Sequence, residues 1–226
     1  MKIIHFDEID STNTYLINNH DNLSDLTICE ADYQSQGKGR EDRTWVADKN
    51  ENVMFSILIK DKELLEQYNA LSMLIALLVR NYLSSLEIDN VSIKWPNDVY
   101  VNDKKICGIL LQGQLPNYLV IGVGINVNQT IFDGEYRTSP TSVALETNQI
   151  MDLKAFKKGL YIFIDEKLDL FKKGLYEPLN EIRKYNYLKG KVTKQGEILD
   201  INDDYSLKVK TSCGVVDINS GEITIK

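Results

Sequence analysis

The sequence predicts an α+β fold: a central mixed β-sheet flanked by helices, with a small all-β unit at the C-terminal end. Three observations carry this. Apolar segments of strand length, 53-VMFSILIK-60, 105-KICGILLQ-112 and 118-YLVIGVGINVN-128, are separated by turn signals. The stretch 63–86 is long, helical in pattern, and apolar enough in its middle to be a buried core helix. From residue 190 onward, short alternating strands are broken by Gln-Gly, Asn-Asp-Asp, Cys-Gly and Ser-Gly turns, which suits a small barrel or sheet. The expected division is 1–186 and 187–226.

In chain order, residues 2–7 read as a short strand, and Asp10-Ser11-Thr12 offers a helix cap before NTYLINNH. Residues 26–34 form a strand that feeds a glycine-containing loop. After strand 53–60 and the long helix come 91-VSIKW-95, a Pro-Asn-Asp turn, 99-VYV-101, an Asn-Asp-Lys turn and strand 105–112, which together make a hairpin. A Leu-Pro-Asn turn leads into 118–128. Residues 129–142 are polar, with Gly134 and Pro140, and their length marks a surface loop of the kind that carries function. Helices follow at 152–173 and 175–186.

The composition excludes several classes. With 26 Lys and Arg against 33 Asp and Glu the net charge is −7, which argues against general binding to nucleic-acid phosphates. No segment approaches the ~20 apolar residues of a membrane span, and the first ten residues carry no signal-peptide hydrophobic region. Cys29, Cys107 and Cys213 are odd in number and far apart, as reduced cytoplasmic thiols are. With His5 and His20 the only histidines, a Ser-His-Asp hydrolase or a His/Cys metal site has little to draw on, and no protein-held metal is expected.

Against that acidic background, 31-ADYQSQGKGREDRTW-45 is locally cationic. Gly37 and Gly39 permit close backbone approach to a ligand, and Lys38, Arg40 and Arg43 supply charge. Arginine can hold a phosphate bidentately, and Trp45 can stack on a ring. The pattern is neither a P-loop nor a dinucleotide fingerprint, and its composition also describes an ordinary solvated turn. In 94-KWPND-98 a strand ends by presenting an amide and a carboxylate, although a plain turn with Trp95 in the core fits equally. Lys105 opens an apolar strand; turned inward it needs an anionic partner, turned outward it is a solvated charge. The run 121-IGVGINVN-128 brings two glycines and Asn126 to a strand end, by ligand approach or by tight packing.

Taken in series, 10-DSTN-13, 33-YQSQGKGREDRTW-45, 94-KWPND-98, 105-KICGIL-110, 121-IGVGINVN-128 and 141-TS-142 resemble the biotin–protein ligases over essentially the whole chain. The resemblance implies a class II synthetase-like catalytic domain with an SH3-like C-terminal barrel. It implies a two-step reaction: biotin and ATP form biotinyl-5′-AMP, and a lysine of a biotin carboxyl carrier protein of acetyl-CoA carboxylase, or a related carboxylase, takes the biotin. It places Ser11, Thr12, Asn13 and Gln34 around the ureido ring of biotin. The backbone of Lys38, Gly39 and Arg40 would close over the carboxylate and phosphate, with Arg40 retaining the adenylate. Lys105 would be the leading catalytic cation, and Asp98 would meet magnesium and assist the incoming lysine. Arg43, Trp45, Asn97 and Asn126 would contact ATP, which enters with Mg²⁺. Gly108, Gly122 and Gly124 would give the ligand room. The 36–44 loop is expected to order on binding.

Two departures stand out. The loop reads GKGREDR where the family commonly has GRGRRGR, so Lys38 replaces an arginine and Glu41-Asp42 replace Arg-Gly. The DSTN motif begins at residue 10, which implies the short, monofunctional class with no DNA partner. Two rivals remain for comparison: a lipoate–protein ligase, whose glycine run beside an Arg-Arg pair and His-Asp are absent here, and a regulator that binds biotin without turnover. A sheet edge could pair two copies as a homodimer or dock the carrier, and the residues do not choose.

Overall fold

The computed structural model of this chain describes residues 1–41, 43–134, 136–221 and 223. Asp42, half of the acidic pair in the cationic loop, lies outside the described residues, as do Glu135 in the 129–142 loop and residues 222 and 224–226 of the C-terminal unit.

The chain opens with β1 (Lys2–Phe6), crosses over through α1 (Thr12–Asn19), and returns as β2 (Thr27–Ala31) parallel to β1. Ser11 starts α1 as expected: its hydroxyl accepts from the Thr14 amide and satisfies one of the free donors of the first turn. Strands β3 (Asn52–Ile59), β4 (Val91–Lys94), β5 (Asp98–Val101), β6 (Lys104–Gln114) and β7 (Tyr118–Asn126) complete a mixed seven-stranded sheet ordered β1-β2-β3-β7-β6-β5-β4.

The expected helix over 63–86 is two helices, α2 (Lys62–Glu66) and α3 (Tyr68–Ser84). Asp61 caps α2 by accepting from the Leu64 amide, and Gln67 leaves the helical conformation, closing the turn with its amide on the Leu64 carbonyl. No glycine or proline marks this break. The longest helix is instead α5 (Leu153–Lys172), preceded by the short α4 (Val143–Thr147). The helix expected at 175–186 shrinks to α6 (Leu179–Lys184): Pro178 stands at its N-cap, where a missing amide hydrogen costs nothing.

The side chains of β3 alternate between two environments. Val53, Phe55, Ile57 and Ile59 point into the main apolar core with α3 and α5, while Leu58 packs with Leu16 of α1, Cys29 and Val120 on the opposite face. The α1 face carries the candidate site.

The C-terminal residues form a three-stranded antiparallel sheet, β8 (Glu197–Ile201), β9 (Leu207–Thr211) and β10 (Gly214–Ile218), in the order β10-β9-β8. Ile198, Ile201, Leu207 and Val209 are buried in the main core. The Trp95 indole donates to the Tyr205 carbonyl (3.0 Å) and Arg183 Nε to the Ile201 carbonyl (2.7 Å), so the small sheet is bonded to the body.

Candidate active site

Strand register builds the floor of the site. Ser56, Gly122 and Leu110 occupy one transverse row of β3, β7 and β6; Met54, Gly124, Gly108 and Asp98 occupy the next, extending to β5. Each row contains a gap where a side chain is missing, and something fills each gap.

In the first row the Asn13 side chain takes the space over Gly122, where an added Cβ would collide with its amide. Asn13 Nδ2 donates to Gln112 Oε1 (2.9 Å) and its Oδ1 accepts from Ser56 (2.6 Å). Thr12 reaches Gln34 Oε1 through both its amide (2.8 Å) and its hydroxyl (3.0 Å), and its hydroxyl lies 2.7 Å from that of Ser56. The result is a partly buried network of donors and acceptors, Gln34–Thr12–Ser56–Asn13–Gln112. Two hydroxyl protons serve three hydroxyl contacts, so an added hydrogen-bonding group has unmet capacity to engage.

In the second row the Trp45 ring lies on the glycine pair. A Cβ on Gly124 would sit 2.5 Å from Trp45 Cε2, and one on Gly108 would sit 3.0 Å from Cζ3 and 3.1 Å from Lys105 Nζ. The Trp45 indole N–H is buried with no hydrogen-bond partner among the described residues, which leaves a donor to be satisfied. Lys105 turns inward: its ammonium is 2.8 Å from Asp98 Oδ1 and 5.6 Å from the Trp45 ring centroid.

The cationic loop folds as a small hairpin. Trp45 N–H bonds Gly37 O (2.9 Å) and Gly39 N–H bonds Arg43 O (2.7 Å), so the Gly39 amide is used within the loop. Glu41 sits near the tip at φ +55° and its carboxylate meets Arg43 Nη2 at 2.6 Å. Arg40 leaves the hairpin and donates to Asn97 Oδ1 and to the Gly221 carbonyl, each at 3.1 Å. Asn97 in turn donates to the Ile109 carbonyl (2.7 Å). A cavity of about 400 Å³ runs from Ser11, Thr12, Asn13 and Gln34 past Trp45 and Lys105 to Arg40, Asn97 and Asn126. All sixteen sequence-predicted site positions, from Ser11 to Asn126, line that one cavity.

Residues 5–126 match the model of the biotin/lipoate A/B protein ligase family. The chain belongs to that family. The bifunctional ligase/repressor BirA of Escherichia coli is 30% identical over 172 residues, covering 71% of this chain and 54% of that protein. The chain thus spans about half the length of the curated relative it matches there. A biotin–[acetyl-CoA-carboxylase] ligase of Paracoccus denitrificans is 31% identical over 158 residues, 65% of each chain. A biotin protein ligase of Aquifex aeolicus, solved in complex with biotin and ATP, superposes with a TM-score of 0.86 at 28% identity, over 100% of this chain and 98% of that one. The fold of this family member, with its sheet, helices and small C-terminal unit, is that of the biotin ligases.

Sequence reasoning missed several groups of this ligase-family site. Ser56 is buried and joins Thr12 to Asn13; its signal was a lone hydroxyl in an otherwise apolar strand. Gln112 closes the same network from the far end of β6. Lys94, Tyr100 and Arg137 line the cavity. Asn126 is buried, and its amide donates to the Thr141 carbonyl, so it also holds the 129–142 loop. The Cys107 thiol, beneath Lys105, is pushed far above its ordinary pKa by burial and is an inert core group.

Proposed function

We propose that this chain is an ATP-dependent biotin–protein ligase. The observation that carries the reading is the two-ended cavity: a hydrogen-bonding network at one end, and Lys105, Arg40, Lys38 and Arg43 at the other. Thr12, Asn13, Gln34 and Ser56 suit a ureido group, which has both N–H donors and a carbonyl acceptor, with Ser11 holding the helix start that presents them. Trp45 on its glycine floor suits the nucleotide, with Asn97 and Asn126 beside it.

In the first step a biotin carboxylate oxygen bonds to the α-phosphorus of ATP and the bond to the β-phosphate oxygen breaks, releasing pyrophosphate. Two anions must meet, and negative charge builds on the phosphorus. Lys105 and Arg40 are placed to offset it, in a partly dry cavity where such contacts count for several kcal/mol. In the second step a lysine amine of the carrier attacks the acyl carbon, AMP leaves with the bonding electrons, and the amine gives up a proton. Asp98, already holding Lys105, is the carboxylate placed to guide that ammonium in and accept the proton. The nucleotide enters as its magnesium complex. Magnesium keeps most of its water and asks for one or two carboxylates; Asp98 fits that need, and the residues suit an ion brought by ATP more than a resident one.

The acceptor is proposed to be a biotin carboxyl carrier domain, in the cytoplasm where ATP and carboxylases meet. Among the described residues no helix is long and apolar enough to cross a membrane. We propose, too, the division into a catalytic body, 1–186, and a C-terminal unit, 187–226. It falls where residues 185–187 run along Ile93 of β4 before the chain leaves for the small sheet.

The test is incorporation of labelled pyrophosphate into ATP, with biotin, with lipoate, and without magnesium. Exchange that requires biotin and magnesium is the expected result. Exchange with lipoate alone would overturn the pocket assignment, and biotin binding without exchange would favour a binding-only regulator.

A further inference from the structure

The 129–142 loop is fastened at both ends. Upstream, Gln129 Nε2 donates to the Ile131 carbonyl while its Oε1 accepts from Asn52 (2.5 Å) and the Asp48 amide (3.3 Å). Downstream, the Lys105 amide donates to Ser139 O and the Thr141 amide to Lys105 O, both at 2.9 Å. Between these points Phe132, Asp133, Gly134, Tyr136 and Arg137 reach the cavity wall.

Thr138 is the last residue before the downstream fastening, and it is held differently. Tyr100 of β5, 1% exposed, donates from its hydroxyl to Thr138 Oγ1 at 3.0 Å. Lys94 of β4 donates to that same hydroxyl at 3.0 Å. Tyr187 packs against the Tyr100 ring from behind, with centroids 4.8 Å apart. An ammonium that donates to a phenol oxygen polarises the O–H and strengthens its onward donation, and low exposure preserves the effect. A buried tyrosine ring has no freedom to follow a moving loop; the loop must come to it.

We propose that Tyr100 is a positioning residue for the nucleotide: the chain Lys94–Tyr100–Thr138 sets where Phe132, Asp133, Tyr136 and Arg137 stand over the ATP half of the cavity. The inference rests on reading that cavity as a biotin and ATP site. Tyr100 acts through Thr138, and the loop it fixes carries Arg137 into the wall. Lys94, Tyr100 and Thr138 all line the cavity, but removing Lys94 also removes a charge from its wall, whereas Tyr100→Phe and Thr138→Val delete only a neutral hydroxyl and keep the shape of the side chain. The informative changes are at Tyr100 and Thr138.

The experiment is calorimetric titration with α,β-methylene-ATP, which cannot release pyrophosphate, at saturating biotin, together with a biotin titration. Tyr100→Phe and Thr138→Val each raise the nucleotide Kd about three- to tenfold, the loss expected for one neutral hydrogen bond. Biotin Kd stays within about twofold, Thr138→Ser restores nucleotide binding, and the double variant is no weaker than the weaker single. Unchanged nucleotide binding, equal losses for both ligands, or additive losses would overturn the proposal. If Tyr100→Phe fails to fold, the Thr138→Val and Thr138→Ser pair decides alone. Because binding is measured without turnover, a chain that binds both ligands but shows no pyrophosphate exchange loses the ligase reading and keeps this one. A chain that binds no nucleotide loses both.

Discussion

The ammonium of Lys105 and the carboxylate of Asp98 meet at 2.8 Å on the cavity wall, from the neighbouring strands β6 and β5. Each accounts for the other's presence at a partly buried position, since an unpaired charge there is expensive. The two have different tasks in the proposed reaction. Lys105→Gln is expected to lower the rate of biotin-dependent pyrophosphate exchange about 10²–10³-fold, the usual loss when one donor to a developing charge is removed. Asp98→Asn should fall mainly on transfer to the carrier lysine, measured in single turnover from preformed adenylate. Equal losses from Asp98→Asn in both half-reactions would refute the separate roles.

The two glycine gaps predict separable defects. Gly124→Ala puts a methyl 2.5 Å from the Trp45 ring, so the ring must leave its floor. Gly122→Ala pushes the Asn13 amide out of the Ser56 and Gln112 network. We expect Gly124→Ala to raise the KM for ATP tenfold or more and to spare biotin Kd, because displacing a stacked aromatic costs about 1–3 kcal/mol. Gly122→Ala should do the reverse. Steady-state exchange and biotin calorimetry on both variants check this, and a common defect would mean the gaps serve packing alone.

Much of this site was legible in the sequence because strand alternation makes it so. Segments 105–112 and 118–128 read as consecutive strands joined by a short Leu-Pro-Asn turn, and their antiparallel pairing brings Gly108, Gly122 and Gly124 into the neighbourhood of Lys105. The direction in which Lys105 points was not legible; it depends on the register that pairs Asp98 with Gly108. Ser56 was hidden because a single hydroxyl in an apolar strand does not announce a partner, and Thr12 arrives from 44 residues away. The break at Gln67 escaped notice for a related reason: no glycine or proline signals it. Tyr100 was read simply as part of a short strand, because the hydroxyl's partner, Thr138, lies 38 residues onward in a loop.

Arg40 bridges Asn97 and the Gly221 carbonyl, joining the cationic hairpin to the cavity wall and to the C-terminal unit. Two anchored guanidinium donors make it the side chain best placed to keep a reactive intermediate in position. Arg40→Gly is expected to slow adenylate synthesis without abolishing it and to release biotinyl-5′-AMP, so bystander lysines become labelled. Gel filtration of enzyme loaded with labelled biotin reads retention directly. Tight retention by the variant would sink the assignment.

Glu41 shows what the departure from the family loop does. Its carboxylate holds Arg43 at 2.6 Å, so part of the loop's positive charge is neutralised internally. ATP phosphates must compete for that guanidinium. Both side chains are about half exposed, so the pair is worth only about 0.2–1 kcal/mol. Glu41→Gln should therefore lower the KM for ATP by at most about fivefold, with a larger gain at low ionic strength than at high. An effect independent of salt would point to loop conformation.

Glu30 of β2 is buried against α5, accepting from Tyr161 Oη (2.6 Å), Lys157 Nζ (3.0 Å) and lying 3.0 Å from His5 Nδ1. Burial alone would raise its pKa, but the Tyr161 and Lys157 hydrogen bonds and the Lys157 charge outweigh it and hold the carboxyl below its ordinary value. A depressed folded-state pKa contributes stability above the unfolded value, about 4.3 for glutamate, and that contribution is lost as pH falls through the folded value. Glu30→Gln should cost about 1–3 kcal/mol near neutral pH. The gap between the two proteins should close on acidification, with wild type losing stability faster below about pH 4.3. Urea unfolding of both at a series of pH values reads this. Parallel curves would show that folding leaves the Glu30 pKa unchanged, and the charge network beneath α5 would need a different account.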